Sequence, residues 1–141
     1  MLSKTSEYAL RAVVHLARDP GDPVSAGEVA AALDVPANYL SKILHTLSRA
    51  GLVESERGPG GGYRLARPAD RMSIADVAGA VDPIAPESRC LLGHARCPGR
   101  HPCAAHDRWC RVAEPVTAFF RDTMVSELLE PSRSGAATAH A

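Results

Sequence analysis

The sequence predicts a mainly α-helical fold with a small β-hairpin wing, that is, a winged helix-turn-helix followed by a long dimerisation helix. Three observations lead to this prediction. Two short segments with helical apolar spacing flank a tight turn at residues 34–36, as in a helix-turn-helix. Two strand-length segments then flank the glycine-rich turn at residues 58–62, which is typical of a hairpin. A further apolar stripe occupies residues 109–120, beyond what one small domain needs for its own core.

The first predicted helix covers residues 3–18, because its apolar side chains recur at helical spacing. The Asp-Pro-Gly-Asp-Pro segment at residues 19–23 ends it. Ser25 and Glu28 match a capping box, in which the serine accepts from a backbone amide and the glutamate bonds back. This pattern predicts a short second helix over residues 26–33.

A third helix follows the turn, and it is the predicted recognition helix. Its buried face is indicated by the spacing of Leu40, Ile43, Leu44 and Leu47. Gly51 ends it. The opposite face carries side chains suited to a major groove, namely Asn38, Ser41, Lys42, His45 and Arg49. Alone, this pattern fits a solvated amphipathic helix better, and it is the capped second helix and the wing that favour DNA binding.

The wing is predicted from strands at residues 52–57 and 63–67, joined by a turn of four glycines and one proline. Glycine there permits positive φ and close backbone approach. We expect Arg57 and this turn to lie along phosphates or in the minor groove. The whole chain is balanced at 16 basic and 16 acidic residues. Residues 36–67, however, hold five basic residues against two acidic ones, a weak electrostatic footprint of nucleic-acid binding.

The four cysteines of the chain, Cys90, Cys97, Cys103 and Cys110, lie within 21 residues, with three histidines among them. No two are two to four residues apart, which is the spacing of zinc knuckles. The irregular, Pro- and Gly-containing segment therefore favours an iron-sulfur cluster. Structural zinc is an alternative, because thiolate and imidazole ligands suit both metals. A disulfide framework is a third possibility, disfavoured because we expect a cytoplasmic chain.

The distal apolar stripe predicts a helix that packs on a second copy of the chain, and its members are Trp109, Val112, Val116, Phe119 and Phe120. Packing on the chain's own first helix is the alternative, and we expect both. Pro115 removes a backbone donor, so a kink or broken turn is expected there. No apolar run approaches the roughly 18 residues of a membrane span, so no membrane partner is predicted.

We divide the chain into four parts on these grounds. Residues 1–83 are the predicted DNA-binding domain and residues 84–106 the cysteine-rich segment. Residues 107–130 are the predicted dimerisation helix region. Residues 131–141 are small and polar, and we expect them to be disordered.

Several segments together resemble one bacterial family of winged-helix regulators, the family that contains the iron-sulfur cluster regulator and the nitric-oxide-sensing repressor. The resemblance covers residues 1 to about 130. Its motifs are Leu2-Ser3-Lys4 through Tyr8-Ala9-Leu10, Asn38-Tyr39-Leu40, Gly51-Leu52-Val53, Ser73-Ile74-Ala75-Asp76-Val77 and, most specific, Arg57-Gly58-Pro59-Gly60-Gly61-Gly62-Tyr63. The cysteines that follow match the family's cluster segment, with six residues between Cys90 and Cys97 where the family usually has five.

The resemblance implies a homodimer that binds a palindromic operator in double-stranded DNA. The residues expected at DNA are Asn38, Tyr39, Ser41, Lys42, His45, Arg49, Arg57, Gly58, Gly60 and Gly61. It also implies an iron-sulfur cluster. Cys103 and His106 reproduce the Cys-x-x-His ending of the cluster regulator, which implies a 2Fe-2S centre on Cys90, Cys97, Cys103 and His106. Glu7 of a second copy is the alternative fourth ligand, as in the branch with a 4Fe-4S cluster. Cys110 is a third candidate, expected instead to be a half-buried thiol on the following helix.

The resulting prediction is a transcriptional regulator, a repressor and not an enzyme, whose operator affinity is controlled by a cluster. That cluster would sense redox state, nitric oxide or iron-sulfur status. A DNA-binding regulator with a zinc site or a thiol–disulfide switch is the alternative. An iron-sulfur redox protein is more remote, because no substrate motif accompanies the cysteines and the wing would have no purpose.

Overall fold

The computed structural model describes residues 2–82, 90–92 and 102–130. In these ranges it contains five α-helices and one two-stranded hairpin, which confirms the predicted fold class. The elements are α1 (Lys4–Arg18), α2 (Ala26–Leu33), α3 (Ala37–Arg49), β1 (Val53–Glu56), β2 (Gly62–Leu65), α4 (Ile74–Val81) and α5 (His106–Asp122). Cys97, most of the cysteine-rich segment and the tail 131–141 lie outside the described residues, and the four predicted domain boundaries stay predictions.

Serine caps begin three of the helices. Ser3 and Ser25 each accept a hydrogen bond from a backbone amide three residues later, at 3.1 Å in both cases. At α4 the exchange is reciprocal: Ser73 Oγ accepts from Asp76 N, and the Asp76 carboxylate accepts from Ser73 N, both at 3.0 Å. Such caps stabilise a helix by about 1 kcal/mol each. The two-way box predicted at Ser25 and Glu28 is only half present, because Ser25 accepts from Glu28 N but the return bond from Ser25 N to the Glu28 side chain is not formed; the complete box is the one at α4.

The core is formed where the apolar faces of the first four helices meet. The four predicted recognition-helix residues are all buried, with Leu40, Leu44 and Leu47 fully so. Residues of α1, including Ala12 and Val13, have no exposed surface. Contacts of α1 with α3 and α4 place it at the centre of the domain. One core residue was not foreseen: Val125, beyond the end of α5, is also completely buried.

The wing is fastened to the body of the domain. Strands β1 and β2 pair antiparallel, with Val53 opposite Leu65 and Glu56 opposite Gly62. On its other edge β2 bonds to the segment before α2, where Val24 N donates to Tyr63 O at 2.9 Å and Tyr63 N donates to Val24 O at 2.7 Å. A Cβ on Gly62 would lie 2.4 Å from the Val24 carbonyl. Only glycine permits this close approach, which holds the hairpin at a fixed angle.

Helix α5 packs mainly against α4, and its C-terminal end is bonded back to the domain. Ile74 N donates to Thr123 O at 3.0 Å, and Val125 N donates to Met72 O at 2.7 Å. The helix continues without interruption through Pro115, so the broken turn expected there is wrong. Pro115 lies on the exposed side of α5, where water can satisfy the carbonyl that proline leaves without its donor.

The predicted apolar stripe of α5 is divided between two environments. Phe120 is buried within the domain at 7% exposure. Val112 and Phe119 are exposed at 59% and 56%, respectively, although the Phe119 ring touches Phe120 edge to face at a centroid distance of 5.8 Å. One chain therefore covers only part of the stripe. Within the described residues, no helix has the length and apolar character needed to cross a membrane.

Candidate functional site

The outer face of α3 carries the predicted DNA-reading side chains. Its buried leucines fix the rotation of the helix, and the five polar positions foreseen on the opposite face are all exposed: Asn38, Ser41, Lys42, His45 and Arg49. Pro36 precedes the helix without a side-chain cap. The first backbone amides of α3 are therefore open to an anion, and a helix N-terminus favours a phosphate there.

Tyr39 differs from its neighbours because it is engaged inside the domain. Its ring meets Tyr8 of α1 edge to face, with centroids 5.8 Å apart and planes at 80°. Its hydroxyl forms a short hydrogen bond with the Thr5 hydroxyl. These contacts tie the start of α3 to the start of α1. Tyr39 can therefore orient the recognition helix whether or not it also touches DNA.

Not all of the basic residues counted in the sequence are available to DNA. In the hairpin, Arg64 Nε donates to a Glu54 carboxylate oxygen at 2.7 Å, and Arg64 lies 3.8 Å from the Glu56 carboxylate. The hydrogen bond to Glu54, with the negative charges of both glutamates, raises the pKa of Arg64. Arg67 lies 3.9 Å from the Asp76 carboxylate. Two of the five cations are thus offset by neighbouring carboxylates.

Three cations remain, and they lie on the recognition helix and at the wing. Lys42, Arg49 and Arg57 are exposed and have no ion pair in the part of the chain that the structure describes. We call this set the cationic triad. Thr46, which sequence reasoning passed over, is exposed on the same helix and donates to the Lys42 carbonyl at 3.0 Å. In the sequence, the only sign that Thr46 could take part is its position between the basic residues Lys42 and Arg49 of the predicted recognition helix.

The glycines of the wing tip are required by its geometry. Gly58 and Gly60 have φ of 96° and 75°, which side chains other than glycine rarely adopt. A Cβ on Gly61 would lie 2.2 Å from the Glu56 carbonyl oxygen. The tip therefore presents bare backbone beside Arg57, and bare backbone can approach a phosphate closely.

The cysteine-rich segment is described only in part. Cys90 and Cys103 are half-buried and Cys110 is exposed, and all three are free thiols. Leu92 N donates to Cys90 Sγ at 3.4 Å. Cys110 had been expected to be half-buried. That expectation is wrong, because α5 turns this residue away from the domain.

The first turns of α5 bring two potential metal ligands, His106 and Cys110, together, and Cys103 precedes the helix by three residues. His106 N donates to Cys103 O at 3.0 Å, and His106 Nε2 lies 3.6 Å from Cys110 Sγ. Glu7 lies on α1, 3.6 Å from Lys4 Nζ. In the described residues no group of three Cys, His, Asp or Glu side chains is assembled with metal-binding geometry. The donor types at α5, thiol and imidazole, are nevertheless those that bind iron in clusters and zinc.

One protein-family model, described as Rrf2, iron-dependent transcriptional regulator, matches residues 2–131. The HTH-type transcriptional regulator IscR of Xenorhabdus nematophila is 33% identical, over 92% of this chain and 79% of its own length. The IscR of Vibrio atlanticus is 32% identical, over 92% of this chain and 75% of its own.

Solved structures give the same fold. CymR, titled the global cysteine regulator of B. subtilis, superposes with a TM-score of 0.77 at 25% identity, covering 92% of this chain and 95% of that chain. The oxidized form of Staphylococcus aureus CymR gives 0.75 at 26% identity, covering 95% and 99%. T. potens IscR gives 0.75 at 23% identity, covering 98% and 93%, and shows the fold alone.

Proposed function

The chain belongs to the Rrf2 family of DNA-binding transcriptional regulators, as its motifs predicted, and from this premise we propose that it is a homodimeric repressor controlled by an iron-sulfur cluster. One observation carries the proposal. The helix that begins at His106, three residues after Cys103, is followed at its C-terminal end by backbone hydrogen bonds to the DNA-binding domain. A displacement of the His106 end of α5 would therefore be transmitted along the helix to the domain that carries α3 and the wing.

DNA binding in this proposal is divided between two kinds of contact. The cationic triad and the bare wing tip would bind phosphates, which set affinity and register. Ser41 and His45, on the exposed face of α3, would contact base edges, which set sequence preference. In a two-fold dimer these surfaces meet two half-sites of a palindrome, with centres roughly 34–36 Å apart or a multiple of that distance.

The proposed dimer interface includes the exposed apolar part of α5. Val112 and Phe119 are large, apolar and more than half exposed, while the same helix is held to its own domain through α4. A second copy that covers this face would remove both side chains from water. Burial of one such side chain stabilises an association by about 1.5–3 kcal/mol.

The residues proposed to hold the cluster are Cys90, Cys97, Cys103 and His106, which together favour a 2Fe-2S centre. Glu7 of a second copy is the alternative fourth ligand and would favour a 4Fe-4S centre. The half-buried thiols of Cys90 and Cys103 and the imidazole of His106 are donor types that fit iron. When bound, an iron-sulfur cluster supplies sensitivity to oxidation, to nitric oxide or to iron supply. The chain's part is to hold His106 on the first turn of α5, with Cys103 bonded to it through the backbone just before the helix, and to transmit their position along α5.

The direct test is to purify the protein without oxygen, record its visible spectrum and measure iron, sulfide and operator affinity. We expect a coloured protein and at least about a tenfold difference in operator Kd between the cluster-bound and cluster-free forms, or about 1.4 kcal/mol. The cluster-free form should keep its helical circular dichroism and dimer mass, because the core formed by the described residues contains no cysteine. Equal affinity of the two forms would contradict control by a cluster.

A thiol–disulfide switch is the second candidate. It is favoured by the three free thiols in the described residues and by the likeness to the oxidized form of CymR at 26% identity. A mild oxidant should then change operator affinity in metal-free protein, and mass spectrometry should find a new disulfide. Oxidant-insensitive affinity in metal-free protein would dismiss this candidate and leave the cluster hypothesis intact.

A further inference from the structure

The contact between His106 and Cys110 has the dimensions of a metal site. His106 and Cys110 are four residues apart on α5, so their side chains lie on the same face one turn apart. It is Nε2, the outer ring nitrogen, that faces the thiol, at 3.6 Å from Sγ. Two ligands at positions i and i+4 of one helix are a known arrangement for zinc.

The distance itself can be compared with a tetrahedral ion. With a zinc–sulfur bond of about 2.3 Å, a zinc–nitrogen bond of about 2.0–2.1 Å and a tetrahedral angle, the sulfur and nitrogen ligands are about 3.5–3.6 Å apart. The two side chains therefore already stand at the separation of two ligands on one ion. Binding would require little rearrangement of either rotamer.

Access at this position is also suitable. Cys110 is exposed and lines an open groove with Glu114, Thr117 and Arg121, in which the acidic and the basic side chain balance one another. Unlike a thiol buried in a core, which is inert, this thiol can meet an ion that arrives from solvent. Water is available for the remaining positions on the ion, and Cys103 lies three residues before α5, with its carbonyl accepting a hydrogen bond from His106 N.

We propose that His106 and Cys110 form one edge of a site for a single tetrahedral divalent ion of the zinc type, occupied in the cluster-free protein. This site adds Cys110 to the metal chemistry of the chain, and it does not depend on whether a cluster forms. One consequence does rest on the proposed function: because His106 is also a proposed cluster ligand, the ion and the cluster would exclude one another.

The experiment uses cluster-free, reduced, full-length protein and Co²⁺ as the probe, because tetrahedral cobalt is coloured and bonding to thiolate adds a charge-transfer band. We expect one Co²⁺ per chain with a thiolate band, displaced by Zn²⁺. Cys110→Ala and His106→Ala should each weaken binding by at least about tenfold, and Cys110→Ala should reduce the thiolate band.

A matched control moves the thiol without removing it. The double variant Cys110→Ala/Arg111→Cys keeps the number of thiols but rotates one of them by about 100° around α5, away from His106. It should behave like Cys110→Ala, and circular dichroism should show both to be folded. Unchanged cobalt affinity and spectrum in Cys110→Ala, or full recovery in the double variant, would overturn the proposal and leave the 3.6 Å contact as a hydrogen bond only. Iron and sulfide analysis of the anaerobic protein is a separate measurement, so failure of the cluster hypothesis is distinguishable from failure of this one.

Discussion

The salt dependence of DNA binding should separate two arginines of the same hairpin. Arg57 is an unpaired member of the cationic triad, whereas Arg64 is held at 2.7 Å by Glu54. If each member of the triad neutralises one phosphate, a dimer makes about six such contacts, and the slope of log K against log salt is about −5.4. Arg57→Ala removes two contacts per dimer and should reduce the slope to about −3.6. Arg64→Ala should leave it near −5.4.

These slopes correspond to a difference that is simple to measure. Between 50 and 200 mM salt, the wild type should lose about 1,800-fold in affinity, and Arg57→Ala only about 150-fold. Fluorescence anisotropy with a labelled operator at four or five salt concentrations gives both numbers. Arg64→Ala is the matched control, because it removes the same side chain from the same hairpin. If it flattens the slope as much as Arg57→Ala does, the ion pairs of the wing are open when DNA is bound, and the assignment of the triad is wrong.

Five further substitutions test other parts of the structure. Phe119→Ser should convert dimer to monomer in analytical ultracentrifugation without loss of helicity, whereas Phe120→Ala, at a 7% exposed position, should cost about 3–5 kcal/mol of unfolding free energy; dimer persistence in the first would contradict the proposed interface. Ser73→Ala should cost about 1 kcal/mol in urea unfolding by removing the cap of α4, and an unchanged midpoint would show that the capping box contributes nothing. Gly62→Ala should weaken operator binding more than it lowers stability, since its Cβ would stand 2.4 Å from Val24 and displace the wing; normal affinity would mean that the wing angle is irrelevant. Cys97→Ala should abolish the chromophore of anaerobic protein, and normal iron and sulfide content would remove Cys97 from the ligand set.

Local patterns made most of the fold predictable. The apolar spacing of α3 and the serine caps before α2 and α4 are short-range features, and the first two predicted helices, 3–18 and 26–33, agree with α1 and α2 to within a residue at their ends. The glycines of the wing are also a short-range feature, and they predicted the hairpin because a tight turn needs positive φ within a few residues.

What could not be predicted depends on contacts between distant parts of the chain. The pairing of Arg64 with Glu54 follows from the register of β1 and β2, which places the two residues opposite one another. The count of basic residues in the sequence therefore included Arg64 among the cations available to DNA. The burial of Val125 depends on where α5 ends, and a short mixed segment with Met124, Leu128 and Leu129 nearby does not indicate which of its apolar side chains enters the core. The exposure of Cys110 depends on which face of α5 packs on α4. The sequence does not reveal this face, because the apolar stripe of α5 is only partly buried within its own domain.

The return of the chain after α5 has a consequence for folding during synthesis. Val125 completes a core that begins in α1, and its amide bonds to Met72, more than fifty residues earlier in the sequence. At the usual 5–20 residues per second, α1 to α4 leave the ribosome seconds before this last piece, and the part of the core that Val125 covers stays open until then. A fragment ending at residue 83 would leave that part uncovered permanently, so the DNA-reading half should be prone to aggregation when made alone. Any attempt to isolate it should extend to residue 130.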